Sequence, residues 1–338
     1  MLAVMIVPTG IAANIGGHSG DATSAAHLLA ACCDRLILHP NVVNASDFTE
    51  QPSNSLYVEG AMLDSFLNKG TRLLPVRQNH VLVVCNEAER DTVNAVNAVR
   101  SLIGLSAEIV ELKTPLVMTG DVDVVKMQAT GTIEGIDELV DQVADYEYDA
   151  LAIHTPITVP VPVASHYVNG TGEINPWGGV EAMLSKAVFW RTDKPTAHAP
   201  VEERAGYEYG VTDPRLAPEM ICAAHLGCVL RGLHKAPRSL GRYLAQHDSI
   251  GSEDVDVLIS PICWGEPHKI CREQNIPMIF VKENTTSQMR KFHDNYELDD
   301  GIVVDNYLEV AGAMVLMGMG RSIESIRRPL NSVKIHVR

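Results

Sequence analysis

Aromatic residues make up only 5% of this 338-residue chain. Its core must therefore rest on Ala, Val, Ile, Leu and Met, the side chains that fill an ordinary globular interior. Positive charge is also scarce: 27 Lys and Arg stand against 42 Asp and Glu, a formal net charge of −15. That balance argues against DNA or RNA as a partner, because nucleic-acid binding draws its free energy from cations neutralising phosphates. A small anionic ligand stays open, since local backbone N–H groups override the global sign. The seven cysteines form no CxxC pair, which removes the common zinc and dithiol motifs and points to a reducing compartment. No hydrophobic run is long enough to cross a bilayer; the most apolar late segment, residues 310–319, reads as a buried helix. The chain enters an apolar run at once, with no basic stretch ahead of it, and that run is shorter than a signal-peptide core. The expectation is a cytoplasmic protein with no membrane partner.

Motif absences narrow the chemistry. No Lys follows the early glycines, so there is no Walker loop, and they do not fall into GxGxxG register. A GxSxG elbow is missing, which lowers a serine-hydrolase reading. No cofactor is favoured.

What the chain has is alternation of short apolar runs with helical patterns. Strands are expected at residues 2–7, 36–38, 80–85, 108–111, 150–154, 195–198, 228–231, 255–260, 277–281 and 302–304. Helices are expected at 24–35, 60–68, 89–102, 136–146, 179–190, 214–225, 240–247, 267–274 and 307–319. Unalternating strands between helices indicate an α/β protein with a mostly parallel, doubly wound, Rossmann-like sheet. Residues 156–176, rich in Pro, Gly and Asn, read as an irregular linker or flap between lobes 1–155 and 177–338 around a cleft, unless the chain is one continuous domain.

Candidate site residues cluster after strand ends, where open α/β sheets bind ligands. Residues 10–23, GIAANIGGHSGDAT, follow the first run. Glycines let a ligand approach backbone amides, and the next helix start offers free N–H donors, together a cradle for a carboxylate or phosphate. Thr9, Gly16, Gly17, His18, Gly20 and Asp21 are its candidate ligand residues; the alternative is a tight turn capped by Asp21 or Ser24. His39, Asn41 and Asn44 after the second run offer donors and acceptors, or simply take turn conformations. Glu59 is a candidate general base, or a helix cap. His154 and His198 end two further strands and suit proton exchange near neutral pH. Cys263, just ahead of a helix, is a candidate nucleophile, or a buried filler. Glu266 lies beside it, and Asn284 follows the next strand. His18, Asp21, His39, His154 and His198 lack the local spacing of a metal site, and no metal is expected.

The chain resembles a family known as domain of unknown function 3326, found in bacteria and plants. The resemblance rests on VPTG-x4-IGG-x2-GDA at residues 7–22 and CDRLI-x-HPNV-x-N at 33–44. LYVEG at 56–60, PVRQNH at 75–80, GGVEA at 178–182 and AHAP at 197–200 add to it; Cys263 lies outside these signatures. The resemblance implies a full-length member and a shared pocket built from those segments, with no established activity to carry over. The functional expectation is a lyase, isomerase or hydrolase acting on a small, polar, carboxylate-bearing metabolite through Glu59, His198 and Cys263. A non-catalytic metabolite-binding or sensing protein is the alternative, followed by a nucleotide-dependent enzyme or a metal hydrolase. A homo-oligomer is left open.

Overall fold

In the computed structural model the described residues are all except 19, 44–50, 171–173, 202–209, 222–224, 242, 245, 293–300, 331, 334 and 336–338, with the side chains of 221 and 290–292 also set aside. Asn44 therefore lies outside the described residues.

The opening run forms β1 (Leu2–Met5), buried along its whole length. Because strand side chains alternate, Leu2 and Val4 enter one apolar core while Ala3 and Met5 enter another on the opposite face. Five parallel strands complete this sheet. Its spatial order is β3 (Ser55–Tyr57), β2 (Arg35–Leu38), β1, β12 (Val257–Pro261), β13 (Met278–Val281) and β14 (Ile302–Val304). Helices Gly60–Leu67 and Glu266–Gln274 pack one face; Thr23–Ala30 and Tyr307–Gly318 pack the other. Each fully buried Leu, Ile or Phe there contributes roughly 1.5–3 kcal/mol, which compensates for the scarcity of aromatics.

A second parallel sheet runs β6 (Ser106–Glu111), β5 (His80–Cys85), β9 (Ala150–His154) and β10 (Thr196–His198). Val81 and Val83 of β5 meet helices Arg90–Ile103 and His225–His234, while Leu82 and Val84 meet Ile136–Val143 and Gly178–Thr192. Two antiparallel pairs remain: β4 (Thr71–Leu74) with β11 (Arg238–Gly241), and β7 (Val117–Asp123) with β8 (Gln128–Glu134). The protein is thus mixed α/β, with a six-stranded parallel sheet beside smaller ones. The larger sheet takes strands from both ends of the chain and the four-stranded sheet from its middle, so residues 156–176 fall between β9 and β10, which pair in register.

Three local expectations need correction. Residues 228–231 are not a strand but part of helix His225–His234; Leu226, Val229, Leu230 and Leu233 recur at helical spacing and are all buried. The helix expected at 240–247 is not found among the described residues: Leu240 and Gly241 belong to β11, which pairs with β4. The irregular segment contains helix Val161–Asn169, whose proline sits in the first turn, where its missing N–H leaves no bond unmade.

Candidate functional site

The carboxyl ends of both parallel sheets open onto one cavity of about 390 Å³. From the larger sheet come Thr9 after β1, His39 and Asn41 after β2, and Glu59 after β3. From the four-stranded sheet come Thr158 after β9 and His198 at the end of β10. Glu181, Tyr167, Trp177, Glu219, His225 and Cys228 close the cavity from the surrounding helices and loops, and none of these is among the candidate site residues named from the sequence, although Glu181 falls in the GGVEA stretch.

Glu59 caps helix Gly60–Leu67: its Oε2 accepts the Ala61 N–H at 2.9 Å. Burial pushes its carboxyl up to about 8, against the pull of the Ala61 and Met62 amides. At neutral pH it is a carboxylic acid with a proton to give. Gly60 is needed because a Cβ there would stand 2.9 Å from His39 Nε2. Burial lowers His39 to about 4, opposed by a hydrogen bond to the Val7 backbone. Its Nδ1 is shut off from solvent and has no hydrogen-bond partner among the described residues. A neutral imidazole that donates to a carbonyl keeps an acceptor on its other nitrogen.

His198 has both ring nitrogens engaged. Nδ1 lies 3.1 Å from Glu181 Oε1, and Nε2 lies 3.0 Å from the Thr155 carbonyl and 3.2 Å from its hydroxyl. The His198 side chain has no exposure and that of Glu181 has 26%, so Glu181 is the member of the pair that a ligand reaches. On another wall the Tyr167 hydroxyl lies 2.8 Å from His18 Nδ1 and donates to Glu219 Oε2 at 3.2 Å. Tyr167 also packs edge-on against Trp177, ring centroids 5.7 Å apart. Burial drives the phenol well above its usual range, so it stays a neutral hydrogen-bonding group.

The glycine loop is built differently, and the anion-cradle expectation is corrected here. Gly16, Gly17, His18, Gly20 and Asp21 do not line the cavity. The Gly16 N–H donates to Asp21 Oδ1 at 2.7 Å and the His18 N–H to the same oxygen at 3.4 Å, so a side chain of the loop already fills the carboxylate place. Burial raises Asp21 to about 7, opposed by those amides, and lowers His18 to about 4. Asn41 donates to the Gly16 carbonyl and, at 3.3 Å, to that of Val7. Asn284 lies off the cavity, bonding the Ile15 N–H and carbonyl, each at 2.8 Å, and the Tyr307 hydroxyl.

Cys263 is also corrected. It is 1% exposed, off the cavity, and burial pushes its thiol to about 12, the reverse of an activated nucleophile. Its neighbour His268 is committed, accepting the Gly265 N–H at Nδ1 and meeting Ser260 Oγ at Nε2. Glu266 faces Lys269 at the surface, and His154 meets the Ala199 carbonyl at 2.8 Å without lining the cavity. Among the described residues, no group of three or more His, Cys, Asp or Glu is arranged to hold a metal ion.

Glu181 does carry a sequence signal, since it lies in the GGVEA stretch ahead of a long helix. Glu219 and Tyr167 carry none: Glu219 falls in an expected helix, where a Glu reads as a solvated face, and Tyr167 in the Pro-, Gly- and Asn-rich segment, where it reads as a turn residue.

The family model described as protein of unknown function (DUF3326) matches residues 2–327. A protein named an uncharacterized lipoprotein, from Synechococcus sp., is 31% identical over 334 residues, covering 92% of this chain and 89% of its own. No solved structure matches the chain. That relative overturns the cytoplasmic expectation, which rested on cysteine usage and the opening residues. A lipid anchor is a covalent addition that composition does not display. Among the described residues, no helix is long and apolar enough to cross a membrane. On the family match and this full-length similarity, the chain belongs to the DUF3326 family.

Proposed function

We propose that the chain is an acid–base enzyme acting on a small molecule in the cleft between two doubly wound, Rossmann-like lobes. Glu59 is the proton donor and the His198–Glu181 pair the proton acceptor. One observation supports this above the others: Glu59 and His198, carried by different sheets, line the same cavity. A carboxylic acid held protonated by burial and a hydrogen-bonded carboxylate on another wall form a pair whose environments separate their roles. Proton removal and return next to a carbonyl or imine, as in an isomerase or lyase, needs no more than these two groups and a site that excludes water.

The test is solvent exchange. The protein is incubated in D2O with a panel of small metabolites, and each compound is weighed by mass spectrometry. Deuterium incorporation or a new product, lost in Glu59→Gln and His198→Ala, is the expected result. Compounds that bind and stabilise the fold without any exchange would support a sensing protein and overturn the enzyme.

A further inference from the structure

We propose that the cavity takes an uncharged sugar, a polyhydroxylated carbonyl compound whose hydroxyls answer a row of neutral side chains. The inference rests on the cavity being the site and replaces the carboxylate-bearing ligand expected from the glycine loop.

Three observations carry it. First, Thr9, Thr158, Asn175 and Ser185 line the cavity with neutral hydrogen-bonding groups. Asn175 is held in one orientation, because its Oδ1 accepts the Trp177 N–H at 3.0 Å and the Gly178 N–H at 3.3 Å. Its side-chain N–H2 is therefore turned away from the helix that it caps. Asn175 and Ser185 are both buried. Among the described residues, the buried side-chain polar atoms with neither a partner nor exposure are His39 Nδ1, His234 Nδ1 and Ser252 Oγ. The Asn175 N–H2 and the Ser185 hydroxyl, which bond no described group, thus keep contact with the cavity.

Second, these groups are spread out. Ser185 lies two turns into helix Gly178–Thr192, about 10 Å from its start. Between them Glu181 exposes part of its carboxylate, a strong acceptor for a hydroxyl. At position 178 a Cβ would stand 2.1 Å from Thr9 Oγ1, so glycine leaves the room that this hydroxyl occupies. Donors and acceptors recurring along a wall match a ligand with hydroxyls on successive carbons.

Third, the apolar lining comes from other elements: Val161, Ala164 and Val168 from helix Val161–Asn169, and Met220 from helix Ala217–Ile221. Trp177 adds a ring. A sugar presents C–H groups as well as O–H groups and uses both linings. A hydrocarbon would leave the Asn175 and Ser185 groups unanswered. An open-chain sugar also carries a carbonyl with a neighbouring C–H, the unit on which the proposed acid–base pair acts.

The experiment is a thermal-shift screen of the full chain near neutral pH, with affinities from calorimetry. The probes are D-xylose, D-xylulose, D-glucose and D-fructose against D-glucose 6-phosphate, cyclohexanol and hexanoate. At least one unphosphorylated sugar is expected to raise Tm, with cyclohexanol and hexanoate inert. Ser185→Ala and, separately, Asn175→Asp, which keeps the capping oxygen and removes the N–H2, should weaken that sugar about fivefold or more. Stabilisation by cyclohexanol or hexanoate equal to that by the sugars overturns the proposal, and so does stabilisation by the phosphate ester alone. Stabilisation by none of the sugars overturns it too, as does sugar binding that both variants leave unchanged. Sugar binding without deuterium exchange upholds the sugar and removes the enzyme. Exchange confined to compounds other than sugars keeps the enzyme and overturns the sugar.

Discussion

The glycine loop and the cavity wall both follow strand ends and both concentrate polar groups, yet they solve opposite problems. In the loop every assigned polar group is answered from within: Gly16 and His18 amides by Asp21, the Gly16 carbonyl by Asn41, both Ile15 backbone groups by Asn284. On the wall, Glu59 holds a proton, and Glu181 turns part of its carboxylate to the cavity. Buried polar groups that are satisfied specify a fold; those left open are available to a ligand. Glycine enrichment marks close backbone packing as readily as a binding loop.

The sharpest way to break this contrast is Gly17→Ala. Its Cβ would sit 2.0 Å from the Ala13 carbonyl oxygen, so a loss of about 3 kcal/mol or more is expected in urea unfolding. A near-neutral result would mean the loop is open after all.

Glu59→Gln comes next, read as a pH profile. The folded carboxyl titrates near 8, above the unfolded value near 4.5. The wild type therefore keeps its full relative stability below about 4.5 and loses it as pH rises toward 8. The gap between wild type and Glu59→Gln should shrink or invert by roughly 5 kcal/mol over that window. The difference is the right quantity because His18 and His39, lowered to about 4, tilt both proteins the opposite way. A flat difference would place Glu59 in water.

These two residues also show what could be read from the sequence. The parallel architecture was legible, because short unalternating runs such as residues 80–85 and 150–154 need helices on both faces, and both match strands. Glu59 and His198 were legible as strand-end ionisable groups, and both line the cavity. The hairpin of β7 and β8 is not, since Met118 and Ile133 are almost all of its alternating positions that reach the core, too few apolar residues to stand out from a loop. Glu219 was invisible, because its importance comes from Tyr167, 52 positions away, and tertiary juxtaposition leaves no local pattern. The closure of the loop is not legible for the same reason: Asn284, 269 positions from Ile15, is what closes it.

Asn284→Ala sharpens that last point. It removes bonds to Ile15 and Tyr307 and leaves a buried backbone pair unanswered, about 2 kcal/mol of stability, with ligand affinity unchanged in the surviving fold. Smallest of all is Cys263→Ala, expected at about 1 kcal/mol with no change in binding. In the native wild type, iodoacetamide should label the half-buried Cys32 and Cys33 well before Cys263, as peptide mass spectrometry will show.

The cavity as the site is tested most directly by a crystal structure of the protein soaked with whichever small metabolite gives the largest thermal shift. The expected result is ligand density in the cavity, with a polar atom within hydrogen-bond reach, about 3 Å, of Glu59 or Glu181. Density instead on the amides of Gly16 to Gly20, with Asp21 displaced, would contradict it.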